Sequence, residues 1–331
     1  MSDRDPTALY ATFLGTSSGV PTRARNVSGI ALQLPQRAET WLLDCGEATQ
    51  HQILRHSELN SNQIRRIFIT HMHGDHIYGL PGLLSTIGMS NAPTAIDIYG
   101  PPGLKDYLDA VLRWSESRIA YPFTVHTVET GLVLEEADYQ VYCALLEHRV
   151  PAFGYRIVER DRPGTLNVAQ AKADGIPPGP IYARLKAGET VELADGRIAN
   201  GRQYVGPPQP GRKLAYCTDT TFCRNAIDLA RAADLLIHEA TFAEADLHLA
   251  KRSKHATASM AATVAKEANA RTLMLTHFSP RYGADGPITL EDLQAEAQAI
   301  FPNTLVARDR LSYAIPRREE SKEKVPVGSS T

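Results

Sequence analysis

The chain has 331 residues, 43% hydrophobic and 22% charged, with a net charge of −2. A globular chain of this length can bury enough surface to fold without staples, and its four scattered cysteines, Cys45, Cys143, Cys217 and Cys223, form no C-x-x-C pair. No apolar run approaches the ~20 residues of a membrane span, and residues 1–6, with no apolar run behind a basic start, give no expectation of a secretory leader. Membrane, fibrous and secreted disulfide-rich classes are thereby excluded, and a reduced, cytoplasmic protein is expected.

In chain order, residues 10–14 alternate as a strand and end in the loop Gly15-Thr16-Ser17-Ser18-Gly19. Strands are expected over 30–34 and 40–44, a helix over 47–56, and a strand over 64–70 that runs straight into His71. A helix over 80–90, a strand over 95–99 and an amphipathic helix over 103–115 follow. Strands continue through 123–160, including 139–146 just before His148. Residues 161–212 are rich in Gly, Pro and Arg and read as an insertion that projects from the body, so removal of 162–186 is expected to spare the fold. Between Arg149 and Lys213, eleven Lys/Arg oppose six Asp/Glu, which leaves the rest of the chain acidic. Strands over 213–218, 235–238 and 272–277 then alternate with helices over 225–232, 259–267 and 290–300. Residues 317–331 lack apolar periodicity and read as a disordered tail. The expectation is one α/β domain over 1–316, a sheet core covered by helices, with the insertion at about 161–212.

The sharpest chemical signal is His71-Met72-His73-Gly74-Asp75-His76, directly after an apolar strand. A turn at Gly74 lets imidazoles and a carboxylate converge, and so many donors exceed one tetrahedral site. Two metal ions are therefore expected, with further ligands from elsewhere. His148, Asp219 and His277 each follow an apolar strand and are the candidates. In such sites a water near the ions is acidified and becomes a nucleophile at neutral pH.

With Asp44, the H-x-H-x-D-H run, His148, Asp219 and His277 in this order, the chain resembles the metallo-β-lactamase superfamily. The resemblance implies a four-layer αβ/βα sandwich. It places one zinc on His71, His73 and His148 and a second on Asp75, His76 and His277, with Asp219 bridging and Asp44 in support. It does not fix the substrate, because relatives share the fold and differ in chemistry.

Three segments narrow the resemblance to the ribonuclease Z family, short bacterial-type form. Gly15 to Pro21, then Arg23-Ala24-Arg25-Asn26, is similar to that family's N-terminal signature, with Arg23 where a lysine is common. His238-Glu239-Ala240-Thr241-Phe242 and His255-Ala256-Thr257-Ala258 resemble two further motifs. They imply a Glu239–His255 pair in which the carboxylate orients the imidazole and the imidazole gives a proton to a leaving alkoxide, with Asp75 accepting one from the attacking water. The insertion, with Gly179, Pro180 and Lys186, resembles the family's Gly-Pro-rich arm. A basic arm grips RNA phosphates without reading sequence. The implied activity is zinc-dependent removal of 3′ trailers from precursor tRNA after the discriminator base, by a symmetric homodimer, with Arg23, Arg25, Asn26, Gly179, Pro180 and Lys186 as substrate-binding candidates. The rivals are a small-molecule phosphodiesterase or arylsulfatase of the same fold and a non-catalytic RNA-binding protein.

Overall fold

Apolar strand residues from the two halves of the chain face each other across one core. In the first half Ala11, Phe13, Ile30, Leu32, Trp41 and Phe68 point inward; in the second Tyr155, Leu214, Tyr216, Leu235, Ile237 and Met274 meet them. A computed structural model of the chain describes residues 5–89, 95–283 and 286–318. The first sheet contains β1 (Leu9–Gly15), β2 (Gly29–Leu34), β3 (Glu39–Leu43), β4 (Ile64–Phe68), β5 (Ile96–Gly100) and β6 (Phe123–Thr127). The second contains β7 (Gly131–Glu135), β8 (Tyr139–Leu146), β9 (Ala152–Glu159), β12 (Lys213–Cys217), β13 (Leu235–Glu239), β14 (Leu273–Thr276) and β15 (Thr304–Val306). The strand β16 (Ser312–Ile315) returns to the first sheet beside β1, while β10 (Thr190–Glu192) and β11 (Ile198–Asn200) pair in the insertion. In each large sheet the strands from the middle to one edge run parallel: β3 to β6 in one, β12 to β15 in the other.

Period-two alternation sends the opposite strand faces outward, where helices cover them. Over the first sheet, Ile53 of α1 (Thr49–Arg55), Leu83 and Leu84 of α3 (Leu80–Met89) and Leu104 and Leu108 of α4 (Leu104–Trp114) pack on Leu42, Ile67 and Ile98. The single turn α2 (Gly74–Ile77) lies between α1 and α3 in sequence. Over the second sheet, α7 (Arg224–Ala230), α9 (Ala258–Glu267) and α10 (Leu290–Gln298) pack on Ala215, Leu236 and Leu273. Ala258, Ala261, Ala262 and Ala265 make α9 thin enough to lie close to the strands, and Thr257 caps its start by accepting from the Met260 N–H. A capping box of Thr289 and Asp292 starts α10, and α8 (Leu247–Ser253) precedes α9. This is the four-layer αβ/βα arrangement. The sequence reading lacked β15 and β16, which are too short for periodicity; β16 is defined only by its pairing with β1, Leu9 opposite Ile315.

The chain divides into two compact units, and among the described residues the second is Glu159–Arg212 with Arg317 and Arg318. It has its own core, in which Ala171 of α5 (Val168–Ala173) and Leu185 of α6 (Pro180–Lys186) pack with Ile176, Val191, Ala199 and Tyr204. The expectation that 162–186 can be removed alone is therefore corrected: the cut takes both helices and leaves Val191, Ala199 and Tyr204 uncovered. The clean boundary is where the Glu159 N–H donates to the Arg212 carbonyl at 2.8 Å. Of the disordered tail expected over 317–331, residues 319–331 lie outside the described residues, while Arg317 is bonded to Glu159.

The ends of this unit close on one carboxylate. Glu159 accepts from Arg212 Nε at 2.8 Å, from Arg162 at 2.9 Å and from Arg317 at 2.7 Å. Burial alone would raise its pKa, but the hydrogen bonds and charge of Arg212, then Arg317, outweigh burial and pull it from 4.5 to about 2. The folded state thus binds fewer protons than the unfolded state between these values, and stability rises with pH in that window. The protection that Glu159→Gln removes from insertion amides in hydrogen exchange should be complete above pH 4.5 and fade as pH falls towards 2. A wild-type minus variant difference independent of pH would refute the clasp.

Candidate metal and acid–base site

The donors gather where strands of both sheets end. His71, His73, Asp75 and His76 follow β4, His148 follows β8, Asp219 follows β12, Glu239 closes β13 and His277 follows β14. Asp44, Asp219 and His277 have positive φ values of 59°, 42° and 58°. Side chains other than glycine rarely occupy this region, so each strand-end turn carries local strain that aims a donor into the site.

Asp219 stands between two groups. Its Oδ2 lies 3.4 Å from His71 Nε2 and 3.7 Å from His148 Nε2; its Oδ1 lies 3.3 Å from His76 Nε2 and 3.2 Å from His277 Nε2. Asp75 Oδ2 lies 3.4 Å from both His76 Nε2 and His277 Nε2. On the other side, His73 Nδ1 faces His71 Nε2 at 3.0 Å and His148 Nε2 at 3.3 Å. The sets His71, His73, His148, Asp219 and Asp75, His76, His277 could each hold an ion, every donor atom within 4.8 Å of the others in its set.

The donor chemistry fits metal. Ring nitrogens facing each other at 3.0 Å need one shared proton or a cation between them. His76 Nε2 is buried without a hydrogen-bond partner, the mark of an atom that expects a ligand. Burial, then the charges of His71 and His148, lowers His73 to about 4, and burial lowers His148, so both favour the neutral form that binds metal. Although burial opposes it, the facing imidazoles hold the carboxyls of Asp75 and Asp219 well below the usual range.

A ring of hydrogen bonds orients these donors. Asp44, fully buried, accepts from the Thr70 N–H at 2.8 Å, from His76 Nδ1 at 2.8 Å and from the Tyr216 hydroxyl at 2.9 Å. The Thr70 hydroxyl lies 3.0 Å from Asp44 and 3.0 Å from His71 Nδ1. On the second sheet the Thr241 hydroxyl lies 2.5 Å from Glu239 and 3.0 Å from His277 Nδ1. His255 Nδ1 meets Glu239 Oε1 at 2.9 Å. Burial would lower His255, but the charge and hydrogen bond of Glu239 raise it to about 9. The pair is buried, not on a helical surface, and His255 also stands within ligand distance of Asp219 and His277. Sequence reading missed Thr70, Thr241 and Tyr216; a threonine beside an expected ligand was the only available signal.

A cavity of about 420 Å³ opens over His73, Asp75, Asp219 and His255, walled by Ser18 to Pro21. In that wall the Gly19 N–H donates to Asp75 Oδ2 at 2.7 Å. Arg23 is exposed and lines a second cavity, of about 510 Å³, with Arg55 and Arg310. Arg25 instead donates to the carbonyls of Tyr282 and Ser279, and the Asn26 amide to the Glu47 carbonyl, so these two side chains hold the loop. Gly179, Pro180 and Lys186 are exposed residues of the second unit, at the start and end of α6.

Comparison with known proteins agrees with this architecture. A family model described as anti-Pycsar protein Apyc1 matches residues 9–151, and one described as beta-lactamase superfamily domain matches residues 202–278. Ribonuclease Z of Picosynechococcus sp. is 60% identical over 94% of this chain and 98% of its own length. Ribonuclease Z of Synechocystis sp. is 60% identical over 94% of this chain and 95% of its own. The crystal structure of human tRNase Z, short form, superposes with a TM-score of 0.66 at 30% identity, covering 93% of this chain and 99% of that one.

Because Asp219 offers an oxygen to each group and His73 touches only one, Asp219→Ala should lower bound divalent metal more than His73→Ala. Metal analysis after dialysis measures this; equal retention in both variants would contradict the bridging geometry. Thr241→Val should weaken metal affinity roughly 10- to 100-fold, as removal of a ligand-orienting partner does, and Thr241→Ser should restore it in a chelator competition.

Proposed function

The chain belongs to the ribonuclease Z family, metal-dependent endoribonucleases that process tRNA 3′ ends, and we propose that two zinc ions, an acid–base pair and a basic insertion divide that work. His71, His73 and His148 would hold one ion, Asp75, His76 and His277 the other, and Asp219 both. When bound, the ions supply Lewis acidity to the phosphoryl group and acidify water. Asp75, fixed by the Gly19 N–H, takes a proton from the attacking water. His255, protonated through its pairing with Glu239, gives the proton on Nε2 to the departing ribose 3′ oxygen, which would otherwise leave poorly. The products are a tRNA 3′-hydroxyl and a trailer with a 5′-phosphate, cleaved after the discriminator base.

The observation that carries this reading is the buried Glu239–His255 pair beside the metal donors. A proton donor at that position suits an alkoxide leaving group. The insertion would supply phosphate contacts: Lys186 at the end of α6 is exposed, and Arg23 adds a further cation by the site. The enzyme would act as a homodimer in the cytoplasm. Among the described residues no helix is long and apolar enough to cross a membrane, and all four cysteines are buried and free.

His255→Ala should retain metal and bind precursor tRNA while turnover falls roughly 10²–10⁴-fold. Loss of metal in that variant would make His255 a ligand instead. Replacing residues 160–211 by a short Gly-Ser linker should spare hydrolysis of a small phosphodiester and weaken precursor binding. The salt slope of binding should drop by roughly 0.7–0.9 per lost phosphate contact. Normal tRNA cleavage by that variant would remove the insertion from substrate binding.

A further inference from the structure

The cavity over the metal donors has an aromatic wall that the acid–base chemistry leaves unused. Tyr78 follows α2 and lines this cavity with His73, Asp75, Asp219 and His255. Tyr78 is 64% exposed, while Asp219, which lines the same cavity, is buried. Yet the ring is held in place. The Tyr78 N–H donates to the Gly74 carbonyl at 2.9 Å, closing the turn that also carries Asp75 and His76. A Cβ at Gly74 would lie 2.1, 2.4 and 2.7 Å from three consecutive ring atoms. A point approaching in the ring plane would be much farther from the flanking atoms; near-equal distances place it over the ring face. One face therefore rests on the Gly74 backbone, and the other is open. Gly74 is required for this contact, since any side chain there would displace the ring. Across the same cavity Val20, 56% exposed, adds a second apolar surface.

We propose that Tyr78 is the stacking platform for a nucleobase flanking the scissile phosphodiester. This rests on the tRNA-processing reading and adds a subsite to it. A cation would fix a phosphate and leave the base free to rotate; an aromatic face fixes the base plane. Stacking is also blind to base identity, because every base has a π face. An enzyme that cuts many precursors at one position needs this property where the flanking base varies. Because the ring sits one helical turn from Asp75, a base on its open face would fix the distance between the sugar-phosphate and the metal donors.

The test uses the full-length metal-loaded enzyme, precursor tRNA, and two abasic precursors lacking the base on the 5′ or the 3′ side of the cut. Tyr78→Leu, which keeps the apolar volume and removes the π face, should raise KM roughly 5- to 150-fold with bound metal unchanged. Tyr78→Phe should stay within about twofold of wild type, since the ring face is what stacks. The wild-type enzyme should show the same loss on one of the abasic precursors, and on that precursor Tyr78→Leu should cost nothing more. If wild type does not cut the intact precursor, the tRNA reading itself fails. If wild type cuts it and Tyr78→Leu matches wild type, or adds an equal loss on both abasic precursors, the stacking platform is wrong.

Discussion

The carboxylate of Asp44 carries the constraint on which the site depends. It is fully buried and receives donors from three directions: the backbone and hydroxyl of Thr70, the ring of His76, and the Tyr216 hydroxyl from the opposite sheet. A buried carboxylate is costly unless its lone pairs are satisfied. Satisfying this one ties β3, the end of β4, α2 and β12 together. Through Thr70 and His76 it orients two imidazoles of the donor cluster, and through Tyr216 it spans the core between the sheets.

Glu239 plays the corresponding part on the second sheet. It accepts from the Thr220 N–H at 2.6 Å, from the Ala256 N–H at 3.0 Å and from His255, while Thr241 links it to His277. Each sheet thus ends in a buried carboxylate, a threonine hydroxyl and an oriented imidazole. The strained turns at Asp44, Asp219 and His277 are tolerated because these bonds over-determine them. The Glu239 carboxylate differs in its outcome: its charge and hydrogen bond raise the His255 imidazole, so the same device fixes an imidazole on each side with a different protonation tendency.

The insertion solves a separate problem. Its helices and hairpin are too short to be stable alone, and the shared core of Ala171, Ile176, Leu185, Val191, Ala199 and Tyr204 makes them cooperative. Glu159, with Arg162, Arg212 and Arg317, closes the unit where the chain enters and leaves it. Part of the basic excess read from sequence is matched by neighbouring carboxylates on the insertion's own surface: Arg184 pairs with Glu189 and Arg197 with Asp195. Lys186 stays exposed at the end of α6.

The sequence by itself determined the alternation of strands and helices, the H-x-H-x-D-H cluster and the strand-end candidates His148, Asp219 and His277. Apolar periodicity and ligand spacing are local, and a chain carries them before it folds. Only the tertiary structure decided which oxygen of Asp219 faces which group of histidines, that Thr70 and Thr241 bond to His71 and His277, that Arg25 holds a loop, and that β16 completes the first sheet beside β1. Those facts join residues far apart in sequence, as Asp44 and Tyr216 are. A hydroxyl or guanidinium has the same letter whether it meets a carboxylate, a carbonyl or water, and its partner is chosen by packing of the two sheets.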